Sequence, residues 1–151
     1  MNRLFVIRCL VLFAFTGISV AAEEGMAASP AESSDPKVNR IQALEKRLQT
    51  ITDPMAKLYF KAGLERMKGD PERAIETLTQ LIVEHPNDEK WIARGELLSA
   101  ELYLELGMLN SAAATARQVQ FLYEGTDSAR QAAALSVKIE KLKKEIEGSV
   151  E

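Results

Sequence analysis

The chain has 151 residues, 46% of them apolar, with 19 basic and 22 acidic side chains and a net charge of −3. That length fits one small domain, and the apolar fraction is enough for a core but too dispersed for a membrane protein. The mild acidity argues against nucleic-acid binding, and the abundance of Lys, Arg, Glu, Leu and Ala over Val, Thr and Tyr favours helix over strand throughout.

The first 22 residues read as a secretory signal peptide rather than part of the domain. Arg3 and Arg8 precede an apolar run from Cys9 to Val20, and Val20-Ala21-Ala22 then leads into Glu23. Cleavage is expected after Ala22, because the run is shorter than the ~20 residues that an uncleaved anchor needs. The location expected of the mature chain is therefore periplasmic or secreted. Cys9, the only cysteine, lies inside the apolar run and not at a lipoprotein acylation site. Without it the mature chain has no disulfide, thiolate nucleophile or cysteine-based metal site. Losing Arg3 and Arg8 from the 19 basic residues, against 22 acidic ones, takes the net charge to −5. Residues 23–35, small, polar and without period, are expected to be a disordered linker.

Three Asp-Pro pairs, Asp35-Pro36, Asp53-Pro54 and Asp70-Pro71, mark three helix starts, since Asp caps well and Pro is tolerated at the first helical position. The first helix, within 36–52, carries a narrow stripe of Ile41, Leu44, Leu48 and Ile51, suited to packing on the next hairpin or to a short self-associating coiled coil. The second, Pro54 to Met67, is apolar around much of its girth and is expected to be the most buried. The third follows Pro71 and is amphipathic, with Ala74, Ile75, Leu78, Leu81 and Ile82 on one face; Pro86-Asn87 closes it. Helices are then expected over Glu89–Leu106, Leu109–Tyr123 and Asp127–Ile146, broken at Gly107 and at Gly125. Lys138, Lys141, Lys143, Lys144 and Glu145 form the solvated face of the last.

Two stretches repeat. Gly69, Ala74, Leu78 and Leu81 align with Gly107, Ala112, Ala116 and Val119 at an offset of 38 residues (69 to 107). Each copy is a helix, a tight glycine turn, a second helix with Ala near its start, and a capped exit. One such hairpin cannot bury its own apolar face, so the copies should stack. The residues resemble the tetratricopeptide repeat family through Ala62-Gly63, Gly69-Asp70, Ala74-Ile75 and Pro86-Asn87, with one residue missing before Gly69. The second copy keeps Ala100, Tyr103, Gly107 and Ala112 but has Met108 for the turn aspartate. Leu135, Ser136 and Ile139 resemble the first half of a third repeat. The resemblance implies an all-α fold, a short right-handed solenoid of antiparallel helix hairpins, with about six helices after the signal peptide and the repeat domain at 53–147. The long period and the "HPNDEKWIA" connection resemble exported cell-envelope members that assist outer-membrane assembly or Tol-Pal function.

The family's first helices line a concave groove in which the second, fifth and ninth positions face a bound peptide. The resemblance places Lys57, Phe60 and Leu64 there in the first repeat, Arg94, Leu97 and Glu101 in the second, and Arg130, Ala133 and Val137 in the last. It implies a cationic edge of Lys57, Arg94 and Arg130 beside an apolar strip of Phe60, Leu64 and Leu97, suited to a partner segment with acidic groups. No metal is expected at His85, the only histidine, because it has no second ligand; Trp91 reads as a packing staple. No serine, histidine and acid fall at catalytic spacing, and no cofactor is expected. The expectation is a non-catalytic exported adaptor that binds a protein or peptide partner of the cell envelope, with no nucleic acid and no membrane span in the mature chain. The alternative is a structural protein that forms homo-oligomers through Ile41, Leu44, Leu48 and Ile51.

Overall fold

Asp35, Asp53 and Asp70 each turn a carboxylate onto the first turn of a helix that begins with proline. Their Oδ1 atoms accept hydrogen bonds from the N–H groups of Lys37, Met55 and Arg73 at 2.8, 3.0 and 3.1 Å. The computed structural model describes residues 35–149, so the expected signal peptide and the linker up to Ser34 lie outside the described residues. Six helices follow in order: α1 (Pro36–Thr50), α2 (Pro54–Lys68), α3 (Pro71–Glu84), α4 (Glu89–Glu105), α5 (Leu109–Leu122) and α6 (Asp127–Gly148). Among the described residues there is no strand, and no helix is long and apolar enough to cross a membrane.

The repeat is reproduced bond for bond. At the first turn Gly69 N–H donates to the Arg66 carbonyl and Asp70 N–H to that of Glu65; at the second, Gly107 donates to Leu104 and Met108 to Tyr103. Gly69 and Gly107 hold φ of 87° and 72°, a left-handed conformation that a side chain would strain. The exits match as well, with His85 N–H on Leu81 and Tyr123 N–H on Val119. Only the cap differs, since Met108 offers α5 no side-chain acceptor.

Burial sets the register of the repeats. Ala62 and Ala74 have no exposed surface and belong to one cluster with Leu78, Leu98 and Leu102; Ala100 and Ala112, 38 residues on, are equally buried. The small residue that lets α2 approach α3 is therefore Ala62. At Gly63 an added Cβ would meet nothing within 4 Å. The expected one-residue gap before Gly69 does not exist: the spacing from Ala62 to Ala74 is that from Ala100 to Ala112.

Helix α4, not α2, is the most buried, with nine buried residues against four. Girth alone misleads here, because what counts is the number of neighbours: α4 packs on α2, α3, α5 and α6. Helices α2, α4 and α6 touch in series, whereas α1, α3 and α5 do not approach one another. The first three therefore form the tighter, inner layer and the others the splayed outer one. Helix α1 covers Phe60 through Arg47 and reaches Lys68 through Glu45, at 2.6 Å. Phe60 corresponds to Leu98, which packs in the cluster containing Ala74 and Leu78 of α3. Thus α1 lies on α2 as α3 lies on α4. Helix α6 repeats the pattern at an offset of 37, its Ile139 clustering with Ala112 and Ala113 as Leu102 does with Ala74.

Candidate partner-binding face

The inner layer presents the side chains of α2, α4 and α6 that pack on neither outer neighbour. In the burial register Arg94, Leu97 and Glu101 of α4 correspond to Ala56, Tyr59 and Gly63 of α2, and to Gln131, Ala134 and Lys138 of α6. The residues expected for the second repeat thus keep their frame, and those of the first and third shift by one. Lys57, Phe60 and Leu64 correspond to Gly95, Leu98 and Leu102, on the side of the helix turned to the preceding outer helix. Ala133 and Val137 correspond to Glu96 and Ala100, the side that α4 turns to α5; both are exposed, Val137 at 72%.

Two parts of the expected site therefore need correction. The cationic edge is not a row: Lys57 is one residue out of register with Arg94, and Arg130 is held on its own turn by Asp127 and by the Gly125 carbonyl. Nor is the apolar strip open, since Leu64 and Leu97 are only 8% and 7% exposed and Phe60 lies under Arg47. Their apolarity reports the core. Ile41, Leu44, Leu48 and Ile51 are all partly buried, on the face that α1 turns to α2.

An ion-pair bridge crosses the inner face. Arg66 Nη1 donates to Glu101 Oε2 at 2.6 Å, its Nε donates to Glu105 Oε1 at 2.8 Å, and its Nη2 also bonds Glu105. Burial opposes the charge of Arg66, but its hydrogen bonds to Glu105 and Glu101 outweigh that and raise its pKa. No local pattern reveals this bridge, whose members lie 35 and 39 residues apart.

On either side of the bridge lies a recess. One, of about 470 Å³, runs between α4 and α6 and is lined by Leu104, Leu135, Lys138 and Leu142 together with Arg66, Glu101 and Glu105. Lys138 is thus a groove residue and not part of a purely solvated face, and no carboxylate reaches it within ion-pair distance among the described residues. The other, of about 500 Å³, lies among α1, α2 and α4 and is lined by Lys37, Tyr59, Phe60, Gly63, Met67 and Leu98 as well as Arg66 and Glu105.

At the edge of this second recess the rings of Tyr59, Phe60 and Trp91 meet. Tyr59 and Trp91 have centroids 5.5 Å apart, and Phe60 stands edge-on to Trp91 at 6.4 Å. Arg47 lies 4.6 Å over Phe60 and Arg94 5.1 Å over Trp91. Burial raises the Tyr59 pKa, with Glu101 adding to the effect and Arg94 and Arg66 opposing it. Trp91 does staple α4 to α2, and it also supplies part of the exposed aromatic edge.

A polar pair inside the second hairpin is separate from this face. Glu96, 8% exposed, accepts from Gln118 at 3.0 Å through Oε1, with Tyr123 close by. Burial raises its pKa against the opposing hydrogen bonds of Tyr123 and Gln118. Burial and the nearby Glu96 push Tyr123 up to about 12. Among the described residues no group of three or more His, Cys, Asp or Glu could hold a metal.

Residues 55–88 match the family model of the tetratricopeptide repeat. No curated protein and no solved structure matches the chain. Counted from Met55, the second, fifth and ninth residues of the matched segment are Ala56, Tyr59 and Gly63, the three that burial sets opposite Arg94, Leu97 and Glu101. With six helices and that match, the described domain is an all-α, tetratricopeptide-like helical repeat. Repeats of this kind suggest a role as a protein-protein interaction adaptor.

Proposed function

We propose that the protein is an exported adaptor whose inner face, formed by α2, α4 and α6, holds a segment of another cell-envelope protein, with no catalytic step. The observation that carries this is a pair of recesses, of about 470 and 500 Å³, that flank the Arg66 bridge and are lined by mixed apolar and charged side chains. Leu104, Leu135 and Leu142 offer apolar anchors, and Lys138 and the Glu101 and Glu105 carboxylates offer orientation. Export is supported by Arg3 and Arg8, the apolar run from Cys9 to Val20, and Val20-Ala21-Ala22 before Glu23. The turning of the α1 stripe towards α2 supports an adaptor over a chain that self-associates through it.

Leu142→Asp places a charge among the leucines of the α4–α6 recess without entering a buried cluster. Capture of a defined partner from envelope extract by the tagged mature chain should be lost with Leu142→Asp and kept with Thr79→Asp on the outer layer. Equal capture by both variants contradicts the reading. Determination of the mature N-terminus tests export, with Glu23 expected as the first residue and an intact Met1 arguing against it.

A further inference from the structure

We propose that the aromatic edge beside the recess among α1, α2 and α4 is a docking site for an acidic, extended segment of a protein partner, gripped between Arg47, which lies over Phe60, and Arg94, which lies over Trp91, with Tyr59 between them. This rests on the adaptor reading of the same face and specifies the chemistry of its occupant.

Charge is the first ground. Among the described residues no carboxylate lies within ion-pair distance of Arg47, Arg94 or Lys37, whereas Arg66, which with Lys37 lines the recess, is engaged by Glu101 and Glu105. Glu101 and Glu105 are therefore already committed. Glu89 and Asp127 share a separate recess with Arg94, but neither pairs with it, and Asp127 is held by Arg130. Both guanidinium groups rest over rings, which holds them in place, and a guanidinium can take a carboxylate with two hydrogen bonds.

Shape is the second. Gly63 leaves the floor open, with nothing within 4 Å of where its Cβ would be, so a backbone can lie close to α2 beside Tyr59. The steps from Arg47 to Phe60, Phe60 to Trp91 and Trp91 to Arg94, laid end to end, bound the separation of the two arginines at about 16 Å. About five residues of extended chain cover that distance. Partly exposed Trp and Tyr flanked by Arg is also the composition in which binding energy concentrates. An acidic segment with apolar residues at its centre meets these demands together.

Trp91 is the only tryptophan, so its emission reports on this site alone. The mature chain is titrated with the capped heptapeptide Glu-Asp-Leu-Val-Leu-Asp-Glu and with its isostere Gln-Asn-Leu-Val-Leu-Asn-Gln. The acidic peptide should shift the emission and saturate below about 1 mM, and the isostere should bind at least tenfold more weakly. Arg47→Gln and Arg94→Gln should each weaken binding about tenfold, and raising NaCl from about 0.15 to 0.5 M should weaken it further. Gly63→Glu, whose Cβ meets no neighbour and whose charge opposes an acidic segment, should abolish binding while circular dichroism stays unchanged; Arg117→Gln on the outer layer should have no effect. No saturation, equal binding of the isostere, or indifference to both arginine substitutions would overturn the assignment. Capture lost through Leu142→Asp alongside a flat titration would overturn the acidic segment and leave the adaptor reading standing.

Discussion

Ala62 and Val137 hold the same place in the first and third repeats, yet Ala62 has no exposed surface and Val137 is 72% exposed. The difference lies in what stands opposite: Ala62 packs in a cluster with Ala74 of α3, whereas among the described residues no helix packs on that side of α6. Glu140 and Lys144, further along that side of α6, are exposed as well and suit contact with water. Enlarging Ala62 to Val should overpack the α2–α3 contact and destabilise by about 1–3 kcal/mol in urea unfolding. Val137→Gln should change stability by less than about 0.5 kcal/mol. Similar losses for the two would contradict the register.

The Arg66 bridge predicts a stability change that depends on salt. Arg66→Met keeps the aliphatic stem and leaves Glu101 and Glu105 facing each other without a cation. Charge-assisted bonds in a partly exposed setting suggest a loss of about 1–2 kcal/mol, less than a buried pair would show. Unfolding in about 1 M NaCl should reduce the difference between variant and parent, because screening weakens the repulsion left behind.

Two glycines should respond in opposite directions. Gly63 is helical and open, so Gly63→Ala should raise stability by up to about 1 kcal/mol through helix propensity. Gly69 holds φ at 87° in the turn between α2 and α3, so Gly69→Ala should destabilise by about 1 kcal/mol or more. Thermal melts of both variants provide the check.

Glu96 gives the domain a pH dependence of definite sign. Burial raises its folded pKa above the ordinary carboxylate value, so the native state holds the proton more tightly than the unfolded chain does. Its contribution is fully present below the unfolded pKa of about 4.3 and is lost as pH rises through the raised value. Glu96→Gln cannot ionise, so its stability relative to the parent should improve as pH rises from the ordinary carboxylate range towards neutrality. A difference that does not vary with pH would show that Glu96 titrates alike in both states.

Much of the fold could be read from local signals, because they act over a few residues. The Asp-Pro starts, the Gly69 and Gly107 turns and the copying of one hairpin into the next all depend on neighbours along the chain. The candidate site was harder to read, for two physical reasons. Ala62 and Gly63 are both small, so composition alone does not say which of them meets the facing helix, and an error of one residue rotates every assignment on α2 by 100°. The Arg66 bridge and the alignment of Arg47, Phe60, Trp91 and Arg94 join residues of separate helices, and no periodicity along one helix encodes such a contact. The greater burial of α4 is of the same kind, since it follows from the position of a helix among its neighbours.

Use of the inner face by a partner is tested most directly by photocrosslinking in intact cells. A photoreactive amino acid is placed singly at Leu104 and Leu142 on the inner layer and at Thr79 and Arg117 on the outer layer. The same envelope protein should form a covalent adduct from both inner positions and from neither outer one. Adducts from Thr79 or Arg117 alone, or none from Leu104 and Leu142, would contradict the assignment of partner binding to the α2, α4 and α6 face.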